Sequence, residues 1–397
     1  MNPYRKITPE GSRDLLFEEC AAQNRVKELL MNLFCGRGYR EVMPPTLEYC
    51  DLFTLPGAEI PLEEMYKMTD RWGRLLVLRP DVTTPIARIT AARLKEHPLP
   101  LRLCYTQKAY RTGRGYHGEY NECTQSGIEL IGAQGMRADL EVLALAVEAL
   151  RVCGAPDFRI EIGHAGFFKE LTSELPAGEA EIEELRWFIE QKNYAAIDQF
   201  LKPFSDCSAT PAIRKLARWF GGDGVLSEAL ALCPAQAKAP IEEISEIFSR
   251  LQTLGLKDKI SIDLGLVHRN SYYTGIVFRG YVEGSGATVL SGGRYDRLHG
   301  LFGRSLAAVG FALDNDALAR TMLERGDIAP EKPADVLVHA EPGFEMEALT
   351  YAGLLAKEGL VCAASTFSSM EEAIQCARQQ GISRMDRVGE QVETCLL

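Results

Sequence analysis

Two strand-like runs, Leu101–Tyr110 and Cys123–Ile131, enclose a loop from Arg111 to Tyr120 that is rich in glycine and tyrosine. The flanks carry the apolar residues and the loop carries the turn-formers, so the segment reads as a strand–loop–strand unit. The fold must therefore contain a sheet. Around it, Phe17–Phe34 shows apolar residues at helical spacing and stops near Gly36 and Gly38, and further helical patterns cover 85–94 and 138–152. Strands are predicted at 39–48, where two prolines close the run, at 157–162, and in a hairpin of 65–70 and 75–80 around Arg71-Trp-Gly-Arg74.

From Phe168 to Leu256 the pattern is almost wholly helical and carries no catalytic signature, which marks a helical insertion. Strand patterns return at 260–263, 272–278 and 287–290 and are followed by a helix at 317–324. Ile328-Ala-Pro-Glu-Lys-Pro-Ala334 reads as a linker, beyond which strands at 335–340 and 360–364 alternate with helices at 344–358 and 370–380. The expected organisation is a core of residues 1–326, with the insertion at about 168–256, and a small α/β domain at 333–397.

Composition narrows the function classes. With 46% hydrophobic residues in 397, the chain can bury a large core, and no uninterrupted apolar run of membrane-spanning length occurs, so a soluble, cytoplasmic protein without a membrane partner is expected. The 11 cysteines are scattered singly, without metal-ligand or disulfide spacing, and are expected to be reduced thiols. A net charge of −11 leans against nucleic acid as a partner, because a long polyanion is held chiefly by lysine and arginine.

Four segments carry recognisable chemistry. They are Leu78-Arg-Pro-Asp-Val-Thr83, the run from Tyr105 to Glu129, Leu266-Val-His-Arg-Asn-Ser-Tyr-Tyr-Thr-Gly275, and Ser291-Gly-Gly-Arg-Tyr-Asp296. Together, and in this order, they make the chain from Arg5 to about Leu323 resemble the class II core of histidine–tRNA ligases. The resemblance implies an α+β fold, a class II aminoacyl-tRNA synthetase-like antiparallel sheet of about six or seven strands flanked by helices, and a dimer formed through the first long helix. It also implies an amino-acid site. Asp81, Thr83 and Gln125 stand where that family holds the ammonium, Glu129, Tyr272 and Tyr273 where it holds the imidazole, and Arg111 at the arginine of its second motif. Because side chains alternate along a strand, one of Tyr272 and Tyr273 is expected to face the core instead, with Tyr273 the better pocket candidate.

The activation machinery is broken. Adenylate formation needs fixed positive charge on the carboxylate and the α-phosphate, and three family arginines share that task. Arg111 is present, but His268 stands at the second position and Ala317 at the third, and the glutamate two residues past the second-motif arginine is Gly113. Losing one such donor costs on the order of a hundred- to a thousand-fold in rate, so useful activation is excluded. No catalytic residue, metal ligand or cofactor is expected. A non-catalytic relative with this profile resembles the regulatory subunit of ATP phosphoribosyltransferase. That resemblance implies a short-form catalytic subunit as partner, free histidine as ligand, and feedback control of the first step of histidine biosynthesis. The alternatives are a divergent histidine–tRNA ligase and a stand-alone adaptor that has lost histidine. For Arg114 and His117, a solvated loop and an ordering role on ligand binding stand even. Arg294 is read as support for the pocket floor, and Arg13 as a surface or interface charge.

Overall fold

Helix α1 (Glu18–Gly36) buries Ala22, Val26, Leu30 and Phe34, one residue per turn, and leaves Asn24, Arg25, Lys27 and Glu28 in solvent. A stripe at this spacing fits a helix laid along a sheet, and Phe34 meets Phe311 edge to face at 5.9 Å between centroids. The helix ends where Gly38 takes φ +83° and the Tyr39 N–H donates to the Phe34 carbonyl at 3.0 Å, a closure that glycine makes without strain. The computed structural model describes residues 3–112, 120–155, 157–267 and 272–397. It divides into two units, Met1–Ile328 and Ala329–Leu397.

The strand predicted over 39–48 is two strands, β1 (Arg40–Glu41) and β2 (Leu47–Tyr49). Pro44 and Pro45 separate them, because neither can donate to a ladder. The buried Arg79 guanidinium ties this break down by donating to the carbonyls of Pro44 at 2.6 Å, Pro45 at 3.1 Å and Lys108 at 2.7 Å. β2 forms a small antiparallel sheet with β3 (Lys67–Thr69) and β4 (Leu75–Leu78), the predicted hairpin, in the order β2-β4-β3. Helix α2 (Thr83–Arg93) follows.

β5 (Leu101–Tyr110) and β6 (Glu122–Ile131) pair antiparallel without a bulge, from Leu101 opposite Ile131 to Tyr110 opposite Glu122. α3 (Met136–Val152) and β7 (Phe158–His164) lead into the insertion. It contains α4 (Ala165–Thr172), α5 (Glu179–Glu190), α6 (Tyr194–Phe200), α7 (Thr210–Leu216), β8 (Phe220–Gly221), α8 (Asp223–Leu232) and α9 (Lys238–Thr253). The insertion is thus not purely helical, since β8 pairs antiparallel with β9 (Ile260–Asp263) and extends the main sheet. β10 (Ile276–Val282), β11 (Thr288–Arg294) and β12 (Ala308–Asp314) complete that sheet, and α10 (Asn315–Glu324) packs along α1.

The main sheet has nine strands in the order β1-β5-β6-β12-β11-β10-β7-β9-β8. The expected antiparallel sheet is present, with one parallel pair toward each margin. β1 runs parallel to β5 and β7 parallel to β9, and the count grows because two short strands are added at the margins. The class is α+β as expected, with α1, α3, α9 and α10 covering the sheet through one continuous apolar core.

The second unit is built from β13 (Val336–Ala340), α11 (Glu345–Lys357), β14 (Cys362–Ala364), α12 (Met370–Gln379), β15 (Arg384–Val388) and β16 (Val392–Leu396). Its sheet order is β14-β13-β15-β16, parallel except for the last pair. The two final strands were not predicted: Arg384-Met-Asp-Arg-Val388 carries three charged residues, which pair inside the unit. There Asp386, fully buried, accepts from Arg384 at 2.6 Å, Tyr351 at 2.9 Å and Thr394 at 2.8 Å. All eleven cysteines are free thiols, and among the described residues no helix is long and apolar enough to cross a membrane.

Candidate ligand-binding site

β6 turns Gln125, Gly127 and Glu129 to one side of the sheet, as the two-residue strand period requires. Opposite them on β12 stand Ala312 and Gly310, which leave open space above the strands. A Cβ on Gly310 would lie 2.0 Å from Oε2 of Glu129, so only glycine fits there. The resulting cavity of about 140 Å³ is lined by all seven residues singled out from the sequence: Asp81, Thr83, Arg111, Gln125, Glu129, Tyr272 and Tyr273. His268, Gly113, Arg114 and His117 lie outside the described residues.

Glu129 is 2% exposed. Thr83 Oγ1 donates to its Oε1 at 2.8 Å, and the Tyr295 hydroxyl donates to its Oε2. Burial pushes its carboxyl up to about 8, the nearby Asp81 charge adds to the rise, and the two donated hydrogen bonds oppose it. In the unfolded chain the same group titrates near 4.5. Between those values the folded protein holds a proton that the unfolded chain releases, so this group's contribution to stability is full below about pH 4.5 and is lost as pH rises through 8. Glu129→Gln should flatten that slope and raise the melting temperature at pH 8 relative to pH 5, an effect of a few kcal/mol readable in paired thermal melts.

Asp81 sits at the start of α2, where it accepts from the Thr84 N–H at 2.8 Å and the Thr84 hydroxyl at 3.1 Å. Its carboxyl is enclosed by the cavity walls, and that burial raises it above the ordinary range while the Arg111 charge pulls it down. Arg111 is fixed through Nε to the Pro80 carbonyl at 3.0 Å, with Glu64 3.9 Å from Nη1. The cavity thus offers carboxylates at two depths and a guanidinium near its mouth. That set can hold a small zwitterion that carries a further hydrogen-bonding group.

The expected division between the two adjacent tyrosines is corrected. Tyr272 and Tyr273 both line the cavity because they precede β10, where strand alternation does not apply. Their rings lie 4.7 Å apart, and Tyr272 meets Tyr295 edge to face at 5.9 Å. Among the lining residues not singled out from the sequence are two tyrosines, Tyr105 and Tyr295. Tyr105 lies opposite Gly127 in the β5–β6 register, so extending the Gln125/Glu129 period across the hairpin finds it. Tyr295 lay inside a quoted motif, but only the fold brings its hydroxyl to Glu129. Arg294 is held below by Asp139 at 2.9 and 2.7 Å and by Asp296 at 3.1 Å. Arg13 is no free surface charge, since it pairs with Glu19 at 3.0 Å and Asp316 at 3.4 Å.

A second cavity of about 500 Å³ adjoins the first and shares Gln125, Ser291 and Ala312 with it. Ala317 lines it where the synthetase family carries an arginine, and Glu122, Asp314 and Asp316 bring carboxylates to its wall, with Arg320 also present. Asp316 is engaged by the Gln23 amide at 2.5 Å and the Thr124 N–H at 2.7 Å. A wall with three carboxylates disfavours a triphosphate.

Residues 11–318 match the family model described as histidyl-tRNA synthetase. A protein of Clostridium kluyveri called ATP phosphoribosyltransferase regulatory subunit is 37% identical over 96% of this chain and 99% of its own length. The chain belongs to the ATP phosphoribosyltransferase regulatory subunit family. A second member, from Clostridium acetobutylicum, is 42% identical over 80% of this chain and 79% of its own. Among solved structures, one from Bacillus halodurans described as ATP phosphoribosyltransferase regulatory subunit/histidyl-tRNA synthetase superposes with a TM-score of 0.82. It is 29% identical and covers 97% of this chain and 98% of that one. A histidyl-tRNA synthetase from Nostoc, 20% identical with a TM-score of 0.75, shares the fold. The chain is accordingly a non-catalytic subunit on a class II synthetase-like scaffold, and its lost arginines fit that standing.

Proposed function

We propose that this chain binds free histidine in the 140 Å³ cavity and carries feedback control to a short-form ATP phosphoribosyltransferase catalytic subunit. In that role it serves the first step of histidine biosynthesis in the cytoplasm, without nucleic acid as a partner. The observation that carries the reading is Glu129, buried in a cavity that Tyr273 and Tyr295 also line and already held by two hydroxyl donors. Such a carboxyl accepts from one imidazole nitrogen, and by exchanging its proton with the ring it forms an ion pair without net proton uptake. Asp81, Thr83 and Gln125 then receive the ammonium, and Arg111 faces the carboxylate end. Feedback requires histidine to prefer the inhibited state of the complex, and a coupling of about 1–3 kcal/mol suffices. Two copies associate through α1, whose free face presents Asn24, Arg25, Lys27 and Glu28 and would join by hydrogen bonds and ion pairs.

Calorimetry on the isolated chain should show saturable binding of histidine and none of ATP. Pull-down with a short-form catalytic subunit should give a complex whose activity falls on adding histidine. Tight ATP binding with pyrophosphate exchange would instead identify a divergent ligase, and activation of the partner without any histidine effect would identify an adaptor.

A further inference from the structure

The cavity floor continues past the residues that line it. Directly opposed residues run in one row across the sheet, from Tyr105 through Gly127, Ala312 and Ser291 to Arg279 and Glu161. Tyr105, Ala312 and Ser291 line the cavity, and Arg279 is the next position in the row. Directly opposite side chains stand about 5 Å apart at Cβ, and serine is short, so an arginine at this position is long enough to extend over Ser291 toward the cavity. Its charge already bears on the Tyr273 hydroxyl.

What holds Arg279 is loose. Its Nη2 lies 3.9 Å from Oε1 of Glu190, the last residue of α5, which is beyond hydrogen-bonding distance, and both side chains are about three-quarters buried. Glu161 faces it across the β7–β10 pair, and Asp263, itself 3.7 Å from Lys192, lies within its field. A guanidinium set among carboxylates without a short contact to Glu190 can be redirected to an anion that offers better geometry.

We propose that Arg279 binds the α-carboxylate of the ligand, replacing from strand β10 the positive charge that His268 no longer supplies. This rests on the reading that the cavity holds a free amino acid. On that reading the carboxylate emerges between Gln125 and Ser291, bracketed by Arg111 on one side and Arg279 on the other. Engagement draws Arg279 away from Glu190, so occupancy of the cavity is felt at the end of α5 in the helical insertion.

The test is calorimetry of the full chain with histidine and with histidinol, which keeps the ring and ammonium but lacks the carboxylate. The native chain should prefer histidine. Arg279→Gln should weaken histidine about ten- to a hundred-fold, the range for one charge-assisted hydrogen bond, while histidinol affinity stays within about two-fold. Arg279→Lys should recover part of the loss, and Glu190→Gln should tighten histidine by freeing the guanidinium. Equal weakening of both ligands in Arg279→Gln would mean a structural role and overturn the proposal, as would unchanged histidine affinity. A native chain that binds neither ligand removes the amino-acid reading and this proposal with it. A native chain that binds both alike, unchanged in Arg279→Gln, removes this proposal alone.

Discussion

Glu129→Ala is expected to lower histidine affinity by about a hundred-fold or more and to move the histidine response of the assembled enzyme to correspondingly higher concentration. The loss has two sources. The imidazole forfeits a hydrogen bond to a buried carboxyl, a contact of about 1.5–3 kcal/mol, and the hydroxyls of Thr83 and Tyr295 lose their acceptor in a dry site. The conservative Glu129→Gln keeps an acceptor but has no proton to give the ring, so its affinity should fall between the native and alanine forms. Calorimetry gives the affinities, and an activity titration of the partner complex with histidine gives the response. Native-like binding by Glu129→Ala would move the ligand out of this cavity altogether.

Asp139→Ala should destabilise the first unit by about 3 kcal/mol in urea denaturation, because it takes the buried carboxylate from an Arg294 guanidinium that almost no water reaches and leaves it the part-exposed Asp296. The pair is 7% and 1% exposed at the two side chains, and Arg294 also reaches the Ala133 and Gly135 carbonyls at 3.4 and 3.3 Å. Removing both charges together, as in Asp139→Leu with Arg294→Met, should cost far less than the single change, since only the part-exposed Asp296 then loses a charged partner. Arg294 precedes Tyr295, so the single variant should also loosen the Tyr295 contact to Glu129 and reduce histidine affinity in the same preparation.

Much of this was legible in the sequence because its signals are local. The α1 stripe, the β5–β6 hairpin and the four motifs follow from periodicity and turn chemistry, and the seven candidate residues do converge on one cavity. What was not legible depends on pairing between distant segments. β8 is two residues of a helical region and is a strand only because β9 lies beside it. β12 carries Gly310 and small residues that read weakly as a strand, although their smallness is what opens the cavity. Tyr272 and Tyr273 were assigned to a strand that begins three residues later, at Ile276, so the alternation argument was applied outside its range. Arg279 stands next to the cavity-lining Ser291 only through a register spanning β10, β11 and β12.

Both margins of the nine-stranded sheet are strands of two residues, β1 and β8. Unsatisfied main-chain groups at such ends are too few to recruit a foreign strand. Neither the catalytic partner nor a misfolded neighbour can therefore extend this sheet by backbone pairing. At this sheet, recognition has to be written in side chains, which is where point mutations can retune an assembly without touching the scaffold that carries it.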